Sequence, residues 1–204
     1  MTARRAIDTL VSKGVLYRQQ GKGTYVAASP MSYGLSTMLS FSRTFRMRGH
    51  DVSTRVLAKE VIPGTEFVLD KLKLPPKRQL ILIRRLRLID HQPAAIHTSY
   101  LEYARFAPLL ELDLSDQSLL DAVENVSGLR VAYTEDSVQA DAATAEERLL
   151  GIEPGAPVLR IEGVAYTDAG FPMRFTRAVY RGDMFRFVVR NTAEQETALK
   201  IARG

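Results

Sequence analysis

The sequence predicts an α+β fold: a largely antiparallel sheet carrying short helices. Three observations support this. Residues 79–103, QLILIRRLRLIDHQPAAIHTSYLEY, read as a long hairpin whose first arm is aliphatic on both faces. Residues 158–167 and 172–180 read as a second hairpin across Asp168-Ala169-Gly170. The remaining periodic segments are short helices mixed among strands, without the regular alternation of a parallel α/β protein.

The first hairpin organises the rest. Leu80, Leu82, Leu86 and Leu88 share one face of its leading arm, and Ile81, Ile83 and Ile89 the other. A strand apolar on both faces belongs inside a covered sheet. Arg85 and Arg87 fall on the isoleucine face, because residues two apart point the same way. Each guanidinium there costs roughly several kcal/mol unless something anionic meets it. Two readings stand: ion pairs to carboxylates on neighbouring strands, or an anion-binding floor, for which arginine offers a fork of donors.

Taken in order, residues 1–13 predict an amphipathic helix, with Ala6, Ile7, Leu10 and Val11 at helical spacing and Gly14 as its stop. Residues 15–17 and 24–26 predict two short strands around the turn Gly21-Lys22-Gly23. Residues 27–38 are small, polar and broken by Pro30 and Gly34, so a linker is expected. A helix over 39–49 follows, with Ser42 as its N-cap, and helix N-termini offer free N–H groups to anions. Residues 52–62 predict a strand, and 63–72 a short helix. SDQSLLDAVEN, residues 115–125, carries a capping serine, early acids and an apolar stripe, and ends near Gly128. A strand over 131–140, a short helix over 144–150, the second hairpin and a last strand over 185–190 complete the sheet. A helical tail is expected over 193–204.

The register of the first hairpin decides what joins the arginines. A two-residue loop of His91 and Gln92 would set Arg87 opposite Ile96 and turn His97 to the other face. One extra residue, in the loop or as a bulge, would bring His97 onto the arginine face. Pro93 cannot donate a ladder hydrogen bond, and His91-Gln92 suits a tight turn poorly, so the second register is expected.

Composition narrows the function. The chain has 204 residues, enough for one good core and a small appended unit. It has no cysteine, hence no disulfide framework and no thiolate metal site. His50, His91 and His97 lack zinc-site spacing, and neither a phosphate-cradling loop nor a nucleophile elbow is present. No metal, cofactor or catalytic residue is therefore predicted. No apolar run approaches the roughly 20 residues of a membrane span, and a cytoplasmic protein is expected. Residues 1–27 hold Arg4, Arg5, Lys13, Arg18 and Lys22 against Asp8 alone, so +4 of the net +5 lies at that end. Such asymmetry points to nucleic acid.

The stretch MTARRAIDTLVSKGVLYRQQGKGTYV resembles the recognition helix and wing of GntR-type transcription regulators. That resemblance implies a partial winged helix-turn-helix over residues 1–27. Thr2, Arg4 and Arg5 would meet bases or phosphates, and Lys22, Gly23 and Thr24 would form the wing tip. Two helices and a first strand ordinarily precede this point in the family, so a fragment of the DNA reader is expected. Residues 39–192 resemble the UTRA effector domain of the HutC-like branch. The resemblance rests on LSFSRTFRMRGHDVSTRVL, RLRLIDHQPAAIHTSYL, QSLLDAVENVSGLRV, LGIEPGAPVLRIEGVAYTDAGFPMRF and YRGDMFRF.

The UTRA resemblance implies a chorismate-lyase-like antiparallel sheet, a homodimer and a small-molecule pocket. Ser42 and Arg43 would line it at a helix start, Arg85 and Arg87 on the first hairpin, and His97 on its return arm. Ser118, Arg174 and Tyr180 would complete it. Relatives that bind sugar phosphates carry carboxylates where this chain has His97 and Arg174, which favours a more anionic ligand than a sugar. A simpler role for Arg174 is an ion pair with Glu162 across its hairpin. The expected function is a regulator whose operator affinity responds to a small anionic metabolite. A stand-alone metabolite-binding module and a chorismate-lyase-like enzyme are the alternatives.

Overall fold

The computed structural model describes residues 3–12, 16–19, 23–26, 31–34, 40–115 and 117–188. Of the expectations above, Thr2, Lys22 and the tail over 193–204 lie outside these residues. Helix α1 (Ala3–Ser12) exposes Arg4 and Arg5. Strands β1 (Leu16–Gln19) and β2 (Gly23–Val26) form an antiparallel hairpin, with Arg18 ion-paired to Asp8 of α1. Thr24 is exposed at the start of β2.

Four residues of the expected linker form strand β3 (Met31–Gly34), which pairs in parallel with Phe185–Val188 near the other end of the chain. Helix α2 is shorter than expected, Phe41–Arg46, and its N-cap is Ser40 rather than Ser42. The Ser40 side chain accepts the Arg43 N–H, while Ser42 sits one position inside the helix and is buried. The apolar spacing explains the shift: starting at Phe41 lets Phe41 and Phe45, four apart, both face the core.

Strand β4 (Val52–Pro63) leads through α3 (Glu66–Lys71), capped by Thr65, into β5 (Gln79–Ile89) and β6 (Gln92–Glu102). Helix α4 (Tyr103–Phe106) follows, and then α5 (Leu119–Ser127). The cap of α5 is Ser118, not Ser115, because Asp113 already accepts the Ser115 N–H at 2.9 Å and holds that serine in a turn. Gly128 ends α5 in the left-handed region, φ +69°. Strand β7 (Tyr133–Ala142), a 3₁₀ helix (Ala145–Leu150) with a Thr144–Glu147 capping box, β8 (Pro157–Tyr166), β9 (Pro172–Arg181) and β10 (Phe185–Val188) complete the chain.

Six strands form one antiparallel sheet in the order β4-β5-β6-β9-β8-β7. The arginine-bearing β5 is interior, though next to the edge, because β4 pairs along its whole length. On one face, Phe41 and Phe45 of α2 pack with Ile89, Ala95, Ile161, Ala178 and Tyr180. On the same face, Leu119, Ala122 and Val123 of α5 pack with Ile81, Ile83 and Leu101. Two apolar clusters thus share a face without merging. The gap between them is polar.

Candidate anion-binding pocket

The hairpin between β5 and β6 turns at Asp90 and His91, both with positive φ (+49° and +66°). That is the two-residue turn favoured by strand twist, one position earlier than the loop of His91 and Gln92 weighed above. Asp90 suits it because its carboxylate is held by the Asp51 N–H at 3.0 Å and by His50 Nδ1 at 2.8 Å. Leu88 pairs with Pro93 and Arg87 with Ala95, so Ala94 is the extra residue of a bulge. The register then sets Arg85 opposite His97. His97 therefore shares the arginine face, with Pro93 beside the bulge.

The pairing continues across the sheet. His97 faces Ala178, which faces Ile161; in the next row Ser99 faces Thr176, which faces Gly163, which faces Asp136. Small residues at Ala178 and Gly163 leave space above the sheet, and α2 and α5 roof it with their N-terminal ends. Ser40 and Ser118, the two cap residues, bring their hydroxyls within 3.3 Å of each other. The cavity is partly open to solvent and measures about 60 Å³.

Arg85, Arg87, His97 and Arg174 line that cavity, as do Ser42, Ser118 and Tyr180. Arg43 does not. Its side chain is largely exposed and reaches Asp121 at 3.0 Å instead. Polar lining residues that the sequence did not mark include Ser40, Ser99, Thr134, Asp136 and Thr176. Ser40 had a weak signal, a serine three residues before an N–H it can cap. Asp136 had none, since only the β7–β8 pairing brings it to the site.

The electrostatics are lopsided. Arg85 is 4% exposed and Arg87 1%. Arg87 Nη2 donates to Ser42 Oγ, and its guanidinium lies 4.8 Å from the centre of the Phe41 ring. Arg85 Nη1 reaches the Gln117 carbonyl at 3.5 Å, while its buried Nε has no hydrogen-bond partner. Burial, together with Arg87 and Arg174 nearby, pulls the Arg85 pKa well below the usual guanidinium range. Burial and the three arginines likewise push His97 well below 6.5, so its imidazole is neutral at pH 7, and its Nε2 is buried without a partner. The Glu162 partner considered for Arg174 is taken by Arg177 at 2.8 Å, because Arg177 is the residue opposite Glu162 and Arg174 faces Ala165. Arg174 Nε is also buried and unpartnered. Among the residues lining the cavity, Asp136 is the only carboxylate.

The UTRA domain model matches residues 47–186. The chain belongs to the UTRA domain family. Its relatives are GntR-type transcription regulators. This UTRA protein is 32% identical over 189 residues to the HTH-type transcriptional repressor NagR of Bacillus subtilis, a match covering 92% of this chain and 77% of that one. It is 27% identical over 190 residues to the mannosyl-D-glycerate transport/metabolism system repressor MngR of Escherichia coli, with coverage of 93% and 79%. PhnF of Mycobacterium smegmatis shares the fold, with a TM-score of 0.77 at 22% identity over 94% of this chain and 84% of its own. Relatives of this UTRA protein are thus named as regulators or repressors, not as enzymes.

Proposed function

We propose that the protein is a ligand-responsive transcription regulator whose UTRA pocket takes a small anionic metabolite. The observation that carries this reading is three guanidiniums, an unpartnered imidazole and a single carboxylate around one cavity. Structural ion pairing does not account for Arg85 or Arg174, whose buried Nε atoms have no hydrogen-bond partner among the described residues. A dicarboxylate, a phosphate ester or a sulfonate meets that charge; a neutral sugar does not. Arg85 and Arg87 hold the charged end, with Ser42 and Ser118 as further hydroxyl contacts.

A space of about 60 Å³ holds only a few water-sized groups, so a metabolite with any bulk displaces part of the wall. The movable part is the α2 end, joined to the sheet by Ser42–Arg87 and to α5 by Ser40–Ser118 and Arg43–Asp121. Helix α2 follows the segment leading from the DNA-reading end. Binding that shifts α2 therefore changes the relative placement of the reading heads in a cytoplasmic homodimer, and operator affinity with it. The protein acts by binding rather than by turnover.

Isothermal titration against dicarboxylates, phosphate esters, sulfonates and neutral sugars tests the reading. At least one anion class is expected to bind, and Arg87→Ala to weaken it by about tenfold or more. Tight binding of an uncharged sugar, unchanged by Arg87→Ala, would refute it.

A further inference from the structure

Asp136 is the feature that an anion site alone leaves unexplained. It stands on the edge strand β7 and is exposed as a residue, yet its carboxylate lies over Gly163 and lines the cavity. A β-carbon on Gly163 would collide with Asp136 Oδ1, so the glycine is what lets the carboxylate lie there. Gly163 itself is not in the left-handed region, which leaves this close approach as the reason for the missing side chain. Thr134 Oγ1 donates to Asp136 Oδ2 and orients the group, while Oδ1 lies on the glycine. Burial raises the Asp136 pKa, and Arg174 opposes that rise.

The cavity therefore has two chemically different ends. At β5 stand Arg85 and Arg87, donors only. At β7 and β8 a single acceptor, Asp136, lies near Arg174, whose buried Nε has no partner. A plain anion uses the first end and gives Asp136 no donor at the second. We infer that the effector carries, besides its anionic group, a hydrogen-bond donor at its far end, a hydroxyl or an ammonium, received by Asp136. Asp136 thereby sets specificity among anions. This inference rests on the anion-binding reading above and narrows it.

Titrations with short ω-hydroxyalkyl and ω-aminoalkyl phosphates, each beside its parent alkyl phosphate, separate the two claims. With the unaltered protein the donor-bearing probes are expected to bind more tightly than the parents. Asp136→Asn should weaken the donor-bearing probes by about tenfold, the usual loss for a hydrogen bond to a charged group. The parent alkyl phosphates should bind that variant equally well or better, because a negative charge has gone. Gly163→Ala, which displaces the carboxylate without removing it, should reproduce the selective loss. Whichever probe Asp136→Asn weakens more, hydroxyl or ammonium, names the donor. If parents and donor-bearing probes respond alike to both variants while Arg87→Ala weakens all, the inference falls and the anion site stands. If no phosphate binds, or Arg87→Ala changes nothing, both fall together.

Discussion

At the residue scale, Arg85 and His97 are destabilising as they stand, and both signs can be measured. Arg85 is buried beside like charges and accepts their field without a carboxylate. Arg85→Met removes that strain and keeps the volume apolar, so the ligand-free protein should gain about 1–2 kcal/mol in chemical denaturation. The same variant should lose the stabilisation that a bound anion confers. His97 has a folded pKa depressed below 6.5 by burial and the three arginines. The unfolded chain then binds the extra proton as pH falls through about 6.5, and stability declines with it, whereas above that value the contribution is fully present. His97→Gln should flatten the fall in melting temperature between pH 7 and pH 5; an unchanged slope would contradict a neutral buried imidazole.

At the scale of elements, the β5–β6 hairpin shows how one residue places a site. The bulge at Ala94 converts a register that would turn His97 away into one that sets it opposite Arg85. The turn preceding it holds His91 at φ +66° with its side chain mostly exposed. An L-residue in that region is strained, so His91→Gly should raise stability by about 1 kcal/mol without touching the pocket. A drop instead would mean that the His91–Asp51 contact at 3.6 Å outweighs the backbone. Helices α2 and α5 act as a pair: both caps, Ser40 and Ser118, face one another above the cavity.

At the scale of the whole molecule, a sheet that gathers three guanidiniums and one carboxylate around one cavity should be stabilised by anions as a class. A ligand at a hundredfold excess over its dissociation constant adds about 2.7 kcal/mol. Sulfate or phosphate should raise the melting temperature well beyond chloride at equal ionic strength, and Arg87→Ala should remove the difference. Equal effects of the two salts would place the stabilisation at the surface rather than in the pocket. Light scattering of the full chain should give about two copies per particle, the symmetric assembly a two-headed operator reader needs; a monomer would leave no second reading head to move. Strand β3, paired with β10, gives the segment before α2 a fixed anchor on the core through Phe185, which packs against Phe41, Phe45 and Tyr180.

Local pattern sufficed for the α+β class, the two hairpins and the placing of Arg85 and Arg87 on a buried face. Those features are set by period-two and helical spacing, whereas the cap serines and the turn residues shifted by one to three positions. Which charges meet is set by packing and strand register. Arg43 reaches Asp121 at the surface, because the burial of Phe41 and Phe45 turns it outward from α2, whereas Arg85 is buried on β5. Arg174 lost its neighbour Glu162 to Arg177 through strand register alone. Asp136 entered the site only because β7 pairs with β8 at Gly163. Contacts between residues far apart in the chain follow from register and packing, and neither is written in local periodicity.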